Sequence, residues 1–169
     1  NTNNTLLLAN HSLKQLNILP NDSNKRLSSV VQFVNQCKTV MGRREFMYKL
    51  LHPTTDVEYL EKEYDIVDYT KKNYEKYEFI RKKFIHMKDL EKIYRKIVLN
   101  KLPPCELAQL FHDINLIQQI HEQIKDDVPL LSYVNINITP ICAKITNFIT
   151  SQINIERSSS LHSLETNIF

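Results

Sequence analysis

An all-α fold, a bundle of long helices behind a short irregular or β N-terminal segment, is predicted by three observations. The 169-residue chain holds a single glycine, Gly42. Average usage of about 7% would supply roughly a dozen, so most sites for tight hairpin turns, phosphate loops and left-handed helix caps are missing. Apolar residues recur at three- and four-residue spacing over most of the chain after Ser28. Hydrophobic residues make up 42% and charged residues 24%, which suits a folded core rather than disorder.

The elements follow in order. At the start, LLLANHSLKQLNI reads as a strand followed by a turn of helix or by a second strand, and PNDSNKR, from Pro20 to Arg26, is a polar loop of breakers. Ser28 or Ser29 can cap a short helix over the cluster Val30, Val31, Phe33 and Val34. Thr39 can cap the next helix, with Met41, Phe46, Leu50 and Leu51 spaced for a buried stripe that ends before Pro53. Asp56 is a fair cap for a long helix with Val57, Leu60, Tyr64 and Val67 on one face.

From Lys71 to Lys101 the chain is aromatic and basic, with Arg81, Lys82 and Lys83 in a row. These cations fit the solvated side of packed helices, given the apolar face Ile80, Phe84, Met87, Leu90, Ile93 and Ile97, or a surface for DNA or an acidic partner. Asp89 suits the cap of DLEKIYRKIVL. Pro103 and Pro104 stand at the start of a rod of about six turns that carries Leu107, Leu110, Phe111, Ile114, Ile117, Ile120 and Ile124. Another rod begins near Pro140, with Ile141, Ile145, Phe148, Ile149 and Ile153 as its inner stripe. The organisation is an irregular segment over 1–27, a helical domain over 28–157 and an exit segment over 158–169.

Chemistry is constrained by what is missing from the sequence. One glycine cannot build a P-loop or a dinucleotide fingerprint, because backbone amides must approach phosphate without a Cβ in the way. Cys37, Cys105 and Cys142 are widely spaced with no C-x-x-C, so neither a disulfide framework nor a zinc site is indicated. His112 and His121 lie about 900° apart around a helix and so face opposite ways. Cys105 with His112 is the only helical nucleophile–base candidate, but two turns separate such side chains by about 10 Å, too far for a hydrogen bond. No catalytic, cofactor or metal residue is assigned. The net charge of +3 is too weak to name nucleic acid as a partner. No apolar run reaches about 18 residues, and no basic region precedes the short N-terminal apolar patch, so an intracellular protein without a membrane contact is expected.

Gly42 falls in the first turn of its helix, at a cost of about 1 kcal/mol relative to alanine. Either a neighbour packs where a Cβ would sit, or the residue is a tolerated surface glycine. Arg43 and Arg44 beside it suit carboxylates or phosphate equally.

The run SVVQFVNQCKTVMGRREFMYKLLHPTTD, from Ser29 to Asp56, resembles the start of the core, or lever, domain of MutS-type DNA mismatch repair proteins. Asn35, Cys37, Thr39, Met41, Gly42, Arg44, Phe46, Leu50, Pro53 and Asp56 fall in register with that pattern. MKDLEKIYRKI and LLLANHSLKQLNIL are similar to two further pieces of the family in the same order, with departures at Ala9, Ser12, Asn17, Thr54 and Glu63. The resemblance implies a fragment that ends where a DNA-gripping clamp is inserted, in a parent that is a DNA-dependent ATPase. It implies lever helices that link the ATPase domain to the clamp. ATP and Mg would sit in the absent ATPase domain, and none in this fragment. The implied partners are mismatched double-stranded DNA, a second MutS-type subunit in a homo- or heterodimer, and a MutL-type protein; nuclear, cytoplasmic, mitochondrial or viral origins are all compatible. Thr39, Met41, Gly42, Arg44, Pro53 and Asp56 are expected to form a structural junction, with Arg44 on a carboxylate, and Arg81, Lys82 and Lys83 to be the DNA or partner contact. A MutS relative acting in recombination, or a stand-alone helical nucleic-acid-binding module, are the alternatives.

Overall fold

The computed structural model describes residues 5–6, 8–19, 29–134 and 136–162, and the polar loop expected over 20–26 lies outside them. The described residues are all-α, with ten helices and no strand. The chain divides into two compact units, Asn1–Lys71 and Lys72–Phe169.

The first unit holds α1 (Asn10–Gln15), α2 (Val30–Val34), α3 (Val40–Leu51) and α4 (Val57–Lys72). Among the described residues its N-terminal segment makes one antiparallel bridge, Thr5 to Thr54, with Leu6 N–H donating to the Pro53 carbonyl at 2.8 Å. α1 ends in a Schellman motif: Ile18 N–H donates to Leu13 O at 3.0 Å and Asn17 N–H to Lys14 O at 3.1 Å, while Asn17 takes φ 49°. The exposed carbonyls of that turn are then used by the next helix, because Val30 N–H donates to Asn17 O and Val31 N–H to Ile18 O. Ser29 completes the start of α2 by accepting Gln32 N–H at 3.2 Å.

The second unit holds α5 (Tyr74–Phe84), α6 (Leu90–Val98), α7 (Pro104–Gln123), α8 (Val128–Val134), α9 (Thr139–Gln152) and α10 (Ile155–Ser158). α6 also ends in a Schellman motif, with Asn100 at φ 52°, Lys101 N–H on Lys96 O at 2.8 Å and Asn100 N–H on Ile97 O at 2.9 Å. The left-handed caps that a glycine-poor chain was expected to lack are therefore present, supplied by asparagine, whose short polar side chain tolerates φ > 0 better than other residues do.

The core of this unit lies between α7 and α9. Ala108, Ile114 and Ile120 of α7, with Ile124 just beyond it, are buried, as are Cys142 and Ile149 of α9 and the adjacent Ile153. The stripe expected on α9 is only partly the buried one. Ile149, 1% exposed, and Ile153 are inside, whereas Ile141 and Phe148, the latter 66% exposed, face out. Two apolar stripes run along α9 about 100° apart, and α7 covers the one centred on Cys142 and Ile149. Ile97 on α6 is likewise exposed although its periodic partner Ile93 is buried.

Polar contacts set the path of α5 and α6 along α7. Lys76 Nζ meets Asp127 Oδ2 at 2.8 Å, Lys83 Nζ donates to Gln119 Oε1 at 3.2 Å, Lys88 N–H donates to Asp113 Oδ2 at 3.1 Å, and Lys96 pairs with Glu106. Residue numbers rise on one side as they fall on the other, so the segments run antiparallel, cross-linked roughly every two helical turns.

α10 packs on α7. Its Ser158 is fully buried, and among the described residues the hydroxyl has no hydrogen-bond partner. A buried hydroxyl without a partner carries its desolvation penalty uncompensated, so Ser158→Ala is expected to stabilise the chain by roughly 1 kcal/mol, read as a higher urea midpoint at unchanged m-value.

Candidate functional site

The residues from Asn35 to Asp56 form one interlocked junction. Asn35 accepts Cys37 N–H on its side-chain oxygen at 3.3 Å and donates from its amide nitrogen to Arg43 O at 3.0 Å. Arg43 turns back and donates through Nη1 to the carbonyls of Cys37 at 3.2 Å and Lys38 at 3.3 Å. Thr39, in extended conformation, caps α3 by accepting Gly42 N–H on Oγ1 at 2.9 Å. The two ends of the turn between α2 and α3 are thus tied by side chains that point inward to backbone groups.

Gly42 lies in the first turn of α3, directly after this turn. Its φ is not positive, so backbone freedom is not the reason for glycine. A Cβ there would lie 2.9 Å from Thr39 Oγ1 and 3.4 Å from Cys37 Cβ. The capping hydroxyl occupies the space a side chain would need, which decides between close approach and tolerated surface in favour of close approach.

The far end of α3 is a second tie. Pro53 supplies the carbonyl that accepts Leu6 N–H, Thr54 Oγ1 accepts Asp56 N–H at 3.1 Å, and Asp56 Oδ1 accepts Tyr59 N–H at 3.0 Å to start α4. Met41 and Arg44 are half-buried on α3. The face expected to be buried on α4 is largely open: Val57, Tyr64 and Val67 are exposed, and Leu60, Tyr64 and Val67 line a groove of about 670 Å³ with Tyr48 and Tyr59. The spacing of that stripe was legible, but α3 reaches only part of it.

In the second unit, two cations of the triplet at the end of α5 meet groups of the same chain. Lys82 Nζ lies 3.4 Å from Glu78, and Lys83 reaches Gln119. Arg81 is half-buried. Sequence reasoning missed two buried carboxylates. Asp127, 3% exposed, accepts from the buried Tyr77 hydroxyl and from Lys76 on Oδ2, and from Leu130 N–H on Oδ1 at 3.3 Å, which caps α8. Asp113 accepts Lys88 N–H and, on its other oxygen, Gln109 Nε2–H at 3.0 Å. The signal for Asp127 was local, an acidic residue directly before V-P at a helix start; Asp113, in the middle of α7, gave none. Among the described residues, no group of three or more His, Cys, Asp or Glu could hold a metal ion, and no helix is long and apolar enough to cross a membrane.

These sites define a helical module in which side-chain polar groups are used to fix chain turns and helix register. Comparison with known proteins agrees: residues 11–165 match the model of MutS domain III, and the chain belongs to that family. It is 28% identical over 132 residues to the DNA mismatch repair protein MutS of Petrotoga mobilis, covering 78% of this chain and 16% of that protein. It is 25% identical over 142 residues to a DNA mismatch repair protein mutS homolog of Acanthamoeba polyphaga mimivirus, covering 80% of this chain and 12% of that one. A mitochondrial DNA mismatch repair protein mutS homolog of Sarcophyton glaucum is 25% identical over 130 residues, 74% of this chain and 13% of its own length. The chain therefore spans less than a fifth of these relatives, and no solved structure matches it.

Proposed function

We propose that this chain is the stiff helical section of a MutS-type mismatch repair protein, passing displacement between an ATPase domain and a DNA clamp that lie elsewhere in the polypeptide. The observation that carries the proposal is the antiparallel series of polar contacts from Lys76–Asp127 to Lys96–Glu106, on a chain of the MutS domain III family. Contacts repeated from α5 through α6 along α7 oppose sliding of these segments past one another, so a push at one end arrives at the other as a shift of the whole element. In this proposal the segment supplies no catalytic residue. ATP and Mg act in the distant ATPase domain, mismatched duplex is held by the whole protein with a second MutS-type subunit, and a MutL-type protein is a downstream partner. Arg44 adds a carboxylate pair to the Thr39–Gly42 junction.

The test softens the rod without touching its packed face. His112 and Glu122 are exposed on α7, and glycine costs about 1 kcal/mol of helix propensity at His112 in the interior and less at Glu122 in the last turn. In the intact polypeptide, His112→Gly with Glu122→Gly is expected to lower mismatch-stimulated ATP turnover while basal turnover and duplex binding persist. Unchanged stimulation overturns the proposal. Alanine at Arg81, Lys82 and Lys83 together is expected to leave duplex affinity and its salt slope intact; a slope reduced by about three would instead assign these cations to phosphate contacts.

A further inference from the structure

Cys105 has no hydrogen-bonded base from its own helix, but the fold brings one to it. His162 Nδ1 lies 3.2 Å from Cys105 Sγ, across 57 residues of sequence, where His112 had been the only helical candidate. The same two segments are joined through the backbone: Cys105 N–H donates to Leu161 O at 3.0 Å, and Leu161 N–H donates to Ser158 O at 3.0 Å. The imidazole is therefore positioned by the residue directly before it, which is tied to the α10 turn. Cys105 is the second residue of the 20-residue α7. The thiol is half-buried and His162 is exposed, leaving the pair open to small solutes.

The other two cysteines differ. Cys142 is buried between α9 and α7, and burial pushes its thiol up from the ordinary value. Cys37 is half-buried under the first turn of α3, with its Sγ 3.8 Å from where a Cβ on Gly42 would lie.

We propose that Cys105 and His162 form a thiol–imidazole pair that hydroperoxides oxidise, a modification site at the start of α7. The imidazole takes the thiol proton as sulfur attacks one peroxide oxygen. The S–O bond forms and the O–O bond breaks. The leaving hydroxide, or alkoxide from an organic hydroperoxide, recovers the proton from the imidazolium as water or an alcohol, so sulfur is oxidised by two electrons to the sulfenic acid and the peroxide is reduced. The 3.2 Å contact leaves no room for an added oxygen, so sulfur and ring separate and the tie from Leu161 to α7 loosens.

The test exposes the intact polypeptide to hydrogen peroxide with a cyclic 1,3-diketone that traps sulfenic acid, and reads Cys37, Cys105 and Cys142 by peptide mass spectrometry. Cys105 is expected to be trapped roughly tenfold faster than Cys142, and His162→Gln to lower the Cys105 rate severalfold while leaving Cys37 unchanged. Oxidation is also expected to speed amide exchange at Cys105. Equal trapping at the three cysteines overturns the proposal. So does a fast Cys105 indifferent to His162→Gln, because exposure alone would then account for it. Neither readout depends on ATP turnover, so the proposal stands or falls separately from the mechanical function.

Discussion

Asp127→Ala is expected to destabilise the second unit by roughly 3 kcal/mol, the range for removing one member of a buried, hydrogen-bonded charged network. Three partners lose an acceptor at once: the Tyr77 hydroxyl, the Lys76 ammonium and the Leu130 N–H of the first turn of α8. Their shares are unequal. Tyr77 is buried, so a hydroxyl deprived of its acceptor there loses a hydrogen bond that water does not readily replace. The Lys76 side chain is 52% exposed, and solvent screening holds its contribution to about 1 kcal/mol or less. Tyr77→Phe should therefore cost more than Lys76→Met, and Asp127→Asn, which keeps an acceptor for the hydroxyl, should fall between Asp127→Ala and the native chain. Urea unfolding of the four variants checks the order; a loss under about 1 kcal/mol for Asp127→Ala would show that the carboxylate is not what holds α5 to the start of α8.

Gly42→Leu is expected to cost about 2 kcal/mol, the usual penalty for forcing atoms into a packed turn. The more telling measurement is a cycle with Thr39. In the native chain, Gly42→Ala gains up to about 1 kcal/mol of helix propensity but drives a methyl against the capping hydroxyl 2.9 Å away, which forfeits about 1 kcal/mol of cap. Those effects nearly cancel. In a Thr39→Ala background the hydroxyl is absent, so the same substitution should stabilise. A coupling of roughly 1 kcal/mol between the two positions is the expected result. Additive effects would mean that glycine is not retained to make room for the cap.

Four helix starts were legible because their caps are local, whereas the starts of α5, α8 and α10 were not read. Ser29, Thr39, Asp56 and Asp89 each accept an N–H three residues on, and that relation can be read from the chain alone. Helix ends were less so. The low glycine content pointed away from left-handed caps, yet Asn17 and Asn100 both adopt them, since asparagine is permitted where the sequence signal sought was glycine. In the junction, Thr39, Gly42, Pro53 and Asp56 were singled out in advance, whereas the roles of Asn35 and Arg43 emerged only with their bonds across the turn. Asn35 was in register with the family pattern, but register does not say which backbone group a side chain meets.

What the sequence determined by itself is the helical class, several of the helix starts and the family, because each rests on relations among residues a few positions apart or on an ordered motif. The tertiary structure decided which of the two stripes on α9 is covered, that Asp113 and Asp127 are buried, and that Cys105 faces His162. Periodicity sets where apolar side chains point around a helix axis. What packs against them is chosen by segments tens of residues away, whose approach depends on the whole set of turns and cross-links between.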